Sequence, residues 1–269
     1  MKKISVLKQA LTASTATFLL LLSVSVWAQT AQEKGLAIAI EGDKRGEGYV
    51  DSKVKLKMVL VDKKGRTASR DMRVKGLEGK GEGGDKSLMI FDTPKDQKGV
   101  AMLTFTHKKK SDDQWLFLPA LKRVKKISSR NKSGPFVGSE FAFEDISSQE
   151  VEKYTYEYLR DETYDGQDCF VIKRIPVDKY SGYTKQISWI DKAEYRALKV
   201  EYYDRKKSLL KTLLNKDFKQ YSGKFWRPSL SEMKNHQTGK STRLVYEDYA
   251  FKVGLKGKQF TKNSLKRAK

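Results

Sequence analysis

From Val54 the chain changes hydropathy at every step. Val54, Leu56, Met58 and Leu60 fall on one side, Lys55 and Lys57 on the other. After the turn Asp62-Lys63-Lys64-Gly65-Arg66, Met72 and Val74 resume the apolar side against Arg73 and Lys75. Side chains alternate across a strand, so a two-residue period predicts a hairpin with one face in a core and one in water. Strand-like segments then recur at Ser87–Phe91, Val100–His107, Gln114–Leu118, Val151–Leu159, Asp168–Pro176, Thr184–Ile190, Ala197–Tyr203, Leu209–Tyr221, Phe225–Asn235 and Thr242–Val253. Turn signals such as Asp165-Gly166, Ser181-Gly182, Ser222-Gly223 and Thr238-Gly239-Lys240 separate them. About a dozen antiparallel strands in a meander must curl, because a flat sheet leaves long unpaired edges. One helix, from Ala31 to Asp43, precedes them. The predicted fold is mainly β: a curved antiparallel sheet forming an open half-barrel, with a short N-terminal helix and a covering loop or helix.

Residues 1–28 read as an export signal. Lys2, Lys3 and Lys8 precede the apolar run around Phe18 to Val24, and Val26 and Ala28 suit cleavage before Gln29. No cysteine stands at that site, which predicts a soluble mature chain that is not itself lipidated. Residues 29–269 are expected to form one domain, outside the cytoplasm. The single cysteine, Cys169, lies in a strand pattern and reads as a buried, inert thiol. The basic tail from Gly254 is expected to be loosely attached.

The stretch from Gln114 to Ile146 departs from the meander. Trp115 to Leu118 is a continuous apolar run stopped by Pro119, as in a strand buried on both faces. Leu121, Val124 and Ile127 then recur every third position among Lys122, Arg123, Lys125 and Lys126. A Ser/Asn/Gly/Pro loop follows, with Phe136, Phe141 and Phe143 on its far side. Loops of that length are usually binding elements or covers, so these rings predict something apolar beneath them.

The order FLPALKRVKKI followed by SGPFVGSEFAFEDI resembles the outer-membrane lipoprotein-sorting family, a LolA-like group of secreted Gram-negative proteins. The likeness extends through Asp165-Gly166, the segment WIDKAEY and Met233-Lys234-Asn235. Glu140 stands where the family often has Asp, and Ala142 where it has a hydroxyl or a ring. The resemblance implies an open sheet around an apolar groove, covered at its mouth. It further implies a periplasmic carrier moving a lipid or acylated lipoprotein toward the outer membrane, with an RND-type exporter as a companion.

The residues themselves weaken a catalytic reading. The only histidines are His107 and His236, and neither sits in a metal-spaced motif or beside a Gly-x-Ser-x-Gly elbow. Glu140, Glu144 and Asp145 cluster in sequence, which does not establish that they converge in space. The glycine-rich run Gly79 to Ser87 lacks the lysine that a phosphate loop requires after its last glycine. No cofactor or metal is expected. The formal charge of +22 points to an acidic partner. An export signal and basic residues spread over many strands argue against nucleic acid. Anionic head groups or the acidic face of a membrane protein fit better.

Apolar residues also exceed what one sheet face uses. Met58, Met72, Met102, Trp115, Phe117 and the row Tyr154, Tyr156, Tyr158 are the candidate groove wall, suited to flexible acyl chains. Phe136, Phe141 and Phe143 are the candidate lid, and Lys122, Arg123, Lys125 and Lys126 the candidate docking surface. Two other functions remain: a non-carrying periplasmic accessory subunit of an RND-type exporter, and a secreted β-barrel enzyme.

Overall fold

The computed structural model describes residues 29–80 and 83–267. The export signal expected at residues 1–28 lies outside the described residues. The strands are β1 (Asp51–Val61), β2 (Thr67–Leu77), β3 (Gly83–Phe91), β4 (Ala101–His107), β5 (Asp113–Leu118) and β6 (Arg123–Ile127). They continue with β7 (Tyr154–Tyr164), β8 (Gln167–Pro176), β9 (Lys185–Asp191), β10 (Ala197–Tyr203), β11 (Leu209–Tyr221), β12 (Phe225–Asn235) and β13 (Ser241–Phe251). Two helices flank them, α1 (Ala31–Gly46) and α2 (Lys262–Lys266).

All the strands join one antiparallel sheet in the order β6-β5-β4-β3-β2-β1-β13-β12-β11-β10-β9-β8-β7. It consists of two meanders zipped together where β1 pairs with β13, and it does not close into a barrel. This topology has a direct consequence. The free edges are β6 and β7, which are consecutive in sequence, so residues 128–153 must cross from one edge of the sheet to the other.

Register fixes which side chains share a face. Leu56 lies opposite Met72, Met72 opposite Phe91, Met89 opposite Met102 and Met102 opposite Leu116. These residues belong to one core together with Val200 and Tyr202 of β10. On a flat sheet β5 and β10 stand eight strand spacings apart, roughly 40 Å at ~4.8 Å per spacing. A shared core therefore requires the sheet to curl, with this face inside.

The helix α1 starts at a capping box in which Glu33 N donates to Thr30 Oγ1 at 3.1 Å and Thr30 N to Glu33 Oε2 at 2.9 Å. It runs one turn past the expected end at Asp43. Ile38 is buried against Ile172 and Ile190 on the inner face. Gly35 lets the helix backbone approach the β7 edge, since a Cβ there would sit 2.7 Å from Tyr158 N. A helix pressed on an edge strand shields it from further pairing.

One expectation needs correction. The tail from Gly254 is not loose: Leu255, Phe260 and Leu265 are buried on the outer face against Leu88, Ile90, Leu103 and Trp115. Three apolar residues among the lysines were enough to anchor it. Leu121, Val124 and Ile127, spaced in threes, fall in two elements. Pro119–Leu121 is a short 3₁₀ turn, Lys122 takes a left-handed conformation with φ 47°, and Arg123–Ile127 is the edge strand.

Candidate functional site

The segment between β6 and β7 lies over the inner face as a cover. It makes no ladder with the sheet; its bridge, Pro135 with Ala142, is internal. Phe136 and Phe141 are buried in the principal core, and Phe143 packs against it. The Phe136 ring stands 6.0 Å from Phe91 and 5.6 Å edge-to-face from Phe143. Beneath them lie Met58, Met72 and Met102, all essentially inaccessible. The structure thus brings the three methionines and the three phenylalanines together, and the space between sheet and cover is filled by the protein's own rings.

Polar contacts hold the cover in place, and most involve residues that the sequence reading did not single out. Lys211 Nζ donates to Asp145 Oδ2 at 2.7 Å and to the Glu140 carbonyl at 2.9 Å. This ion pair is buried, with side-chain exposures of 4% and 5%. The Tyr183 hydroxyl donates to Asp145 Oδ1 at 2.9 Å, and the Lys211 ammonium lies 5.2 Å from the Tyr183 ring centroid. Burial, then the neighbouring carboxylates, keep the Tyr183 phenol well above its ordinary pKa.

Glu144 accepts from Ser181 Oγ and Gly182 N, each at 2.8 Å. Burial raises its pKa, opposed by the Gly182 hydrogen bond. Glu140 accepts from Asn235 Nδ2 at 2.7 Å, and its amide donates to Thr242 Oγ1 at 3.0 Å. On the other side Gln114 Nε2 donates to the Phe143 carbonyl at 2.9 Å, and Arg70 donates to the Val137 carbonyl. The carboxylates of Glu140, Glu144 and Asp145 do converge on one region, as a latch in which each is already satisfied. Lys211 was visible in principle: it shares the inward alternation with Leu213, where a cation demands a buried partner.

Other candidate residues are placed elsewhere. Trp115 and Phe117 face outward and pack with the C-terminal tail, while Leu116 and Leu118 of the same strand face the cover. In a run apolar on both faces, hydropathy alone does not choose the side. Tyr154, Tyr156 and Tyr158 are on the inner face but away from the phenylalanines. Tyr156 and Tyr158 sit under α1, with Lys34 Nζ 3.5 Å from the Tyr158 ring centroid. Tyr154 meets Arg174, whose guanidinium is 4.8 Å from its ring centroid. An aromatic band unforeseen from the sequence extends the inner face from Tyr246 through Tyr249 and Phe251, stacked at 5.8 and 5.9 Å. Tyr221 and Phe225 join it, and Tyr49 links it to a cavity of about 510 Å³ between α1, the β2–β3 loop and the end of the cover.

Lys122, Arg123 and Lys125 are exposed on and beside the β6 edge strand, next to the exposed Leu121. Lys126 is paired with Asp113 at 2.7 Å. His107 contacts Asp113 at 3.0 Å and His236 contacts Thr212 at 2.8 Å. Cys169 is buried, and burial raises its thiol pKa. Among the described residues no group of three or more His, Cys, Asp or Glu could hold a metal ion, and no helix is long and apolar enough to cross a membrane.

A curled but unclosed antiparallel sheet with an inner face capped by a helix and a crossing segment is a LolA-like fold. A LolA superfamily protein from Nitrosomonas europaea shares it at TM-score 0.69 and 24% identity, covering 87% of this chain and 99% of that one. A DUF1329 family protein from Desulfovibrio piger matches at TM-score 0.83 and 26% identity, over 88% of this chain and 99% of that one. An outer membrane lipoprotein-sorting protein domain from Vibrio parahaemolyticus matches at TM-score 0.86 and 56% identity, covering 88% of this chain and 100% of that one. A family model described as an uncharacterized protein covers residues 83–267. None of the curated proteins matches by sequence. The chain belongs to the outer membrane lipoprotein-sorting protein family.

Proposed function

We propose that this chain is a periplasmic carrier that binds a lipid, or the acyl chains of a lipoprotein, on its inner face and moves it toward the outer membrane. The observation that carries this reading is the composition of the principal core. Its two halves, the sheet wall and the cover, share no strand ladder, so the cover can leave without unzipping a strand. A guest chain would then take the place of Phe136 and Phe141 against Met58, Met72 and Met102. Each buried methylene contributes ~0.8 kcal/mol, so a chain of a dozen carbons offsets the loss of two packed rings. Thioethers and rings re-pack readily around flexible chains.

Residues 1–28 act in this reading as the export signal and residues 29–269 as one carrier domain. Lys122, Arg123, Lys125 and Lys126 dock an anionic membrane surface or an RND-type exporter. No catalytic residue is needed.

A second reading, a non-carrying accessory subunit of such an exporter, is favoured by one specific fact: the inner face is packed by the protein's own side chains. Native mass spectrometry of gently extracted protein separates the two. Co-purified lipid, or stoichiometric uptake of a fluorescent fatty acid, supports the carrier; protein that is empty and refuses the probe supports the subunit.

A further inference from the structure

Where the two free edges of the sheet face each other, the β4–β5 turn, the two stems of the cover and the β8–β9 loop enclose a cavity of about 290 Å³. That is too small for a long acyl chain and lies near the lower end of small-ligand pockets, roughly 300–1,000 Å³. Five lysines line it: Lys108, Lys109, Lys110, Lys132 and Lys153. Ser128, Ser129 and Ser147 also line it, as does Ser148, whose hydroxyl donates to Asp85 at 3.1 Å.

Its carboxylates are already engaged. Asp178 accepts from Lys132 Nζ and Ser111 Oγ, each at 2.7 Å, Asp112 is paired with Lys153, and Glu144 is held by Ser181 and Gly182. Lys108 reaches Glu152 at 3.9 Å. Lys109 and Lys110 are exposed at the rim and form no ion pair among the described residues. The cavity therefore carries surplus positive charge and several hydroxyl donors.

Its floor gives the site a direction. Ile127 lines this cavity and is also part of the principal core under the cover. Tyr154, at the start of the inner-face tyrosine row, lines it too. A polar, cationic chamber thus shares a wall, Ile127, with the apolar core at the point where the cover's stems leave the sheet.

We propose that this seam chamber binds the phosphate of an anionic amphiphile whose acyl chain lies on the inner face, with Lys109 and Lys110 as its direct cationic contacts. The inference rests on the carrier reading and narrows it to cargo with an acidic head. Ammonium groups bind phosphate as point charges, and serine hydroxyls donate to the remaining oxygens. Exposed, unpaired lysines at a rim also draw an anion in, with a salt-sensitive rate.

The test compares wild type with Lys109→Glu/Lys110→Glu, using lysophosphatidylglycerol and a monoacylglycerol of the same chain length, with inorganic phosphate as a third probe. Wild type is expected to prefer the phosphorylated amphiphile by about tenfold. The ratio should fall to about one in the double variant, at an unchanged melting temperature. Equal binding of both amphiphiles by wild type, or a ratio unaffected by the double variant, overturns the headgroup site and leaves the carrier standing. Binding of neither amphiphile overturns both. Inorganic phosphate that protects Lys109 and Lys110 from acetylation as strongly as the lysophospholipid does would assign the chamber to a free anion and overturn the lipid source.

Discussion

Two of the segments that cover this sheet are held by different physics. On the outer face the C-terminal tail buries Leu255, Phe260 and Leu265 against Leu88, Ile90 and Leu103. On the inner face the cover buries Phe136 and Phe141, but it is also pinned by Lys211–Asp145, Glu140–Asn235 and Glu144–Ser181. Apolar packing is non-directional and tolerates sliding, so it serves a permanent seal. Buried polar pairs contribute little net stability against an apolar substitute, yet they fix one geometry and fail together when one partner goes. A cover built this way has a defined closed state and a defined way of being released.

The largest expected effect breaks the latch from one side. Lys211→Met leaves Asp145 buried without its cation and should destabilise the protein by about 3–5 kcal/mol. Denaturant titration reads the loss, and amide exchange should place it in residues 134–146. Lys211→Met combined with Asp145→Leu should recover part of it, because an apolar pair carries no desolvated charge while the Tyr183 hydroxyl and the Ala142 amide lose their acceptor. Failure of the double variant to recover would mean that the ion pair is not the unit holding the cover.

The second prediction sets the two covers against each other. Phe136→Ala and Phe260→Ala each empty a buried ring site and should cost about 3–5 kcal/mol. Phe136→Ala alone should raise uptake of a fluorescent acyl probe, since it removes the plug from the inner face. Equal uptake by both variants would erase the distinction between the covers.

Much of this was legible before the fold was known. Alternation located every strand of the two meanders except β6, and the phenylalanines marked the cover. Trp115 and Phe117 were misassigned because their strand is apolar on both faces, and only the register against Met102 and Leu103 decides which side turns inward. The latch stayed hidden for a different reason. Its halves lie in SEFAFED and in strands near Lys211 and Asn235, and only the curl of the sheet brings them together. The band of Tyr221, Tyr246 and Tyr249 was obscured by bulges such as the one at Asp248, with φ 53°, which shift the alternation by one residue.

Charge reversal at the edge is the third test. Changing Lys122, Arg123, Lys125 and Lys126 to glutamate should weaken association with anionic vesicles by tenfold or more on the order expected for several surface cations at ~1 kcal/mol each. Stability should change by less than about 1 kcal/mol, because among the described residues only Lys126 has an ion pair there. Vesicle binding that persists would remove the edge strand as a docking surface.

The smallest effect concerns the acidic rim of the α1 cavity. Burial, then Glu47 and Glu150, push the Asp43 carboxyl up to about 6 from 3.8. A raised carboxyl disfavours the folded state once it is charged. The cost is absent below about pH 4, grows as pH rises toward 6, and is complete above it. Asp43→Asn should therefore raise the melting temperature slightly at pH 7.5 and leave it unchanged at pH 4, the effect being small because the side chain, though partly desolvated, keeps contact with water.

The most direct test of the carrier reading is amide exchange on the wild-type chain with and without a bound acyl amphiphile. Binding should expose the amides of Phe136, Phe141 and Phe143 while β1–β5 and the tail around Phe260 keep their protection. Amides of the cover that stay as protected with the amphiphile bound as without it would contradict the exchange of ring for acyl chain on which the account stands.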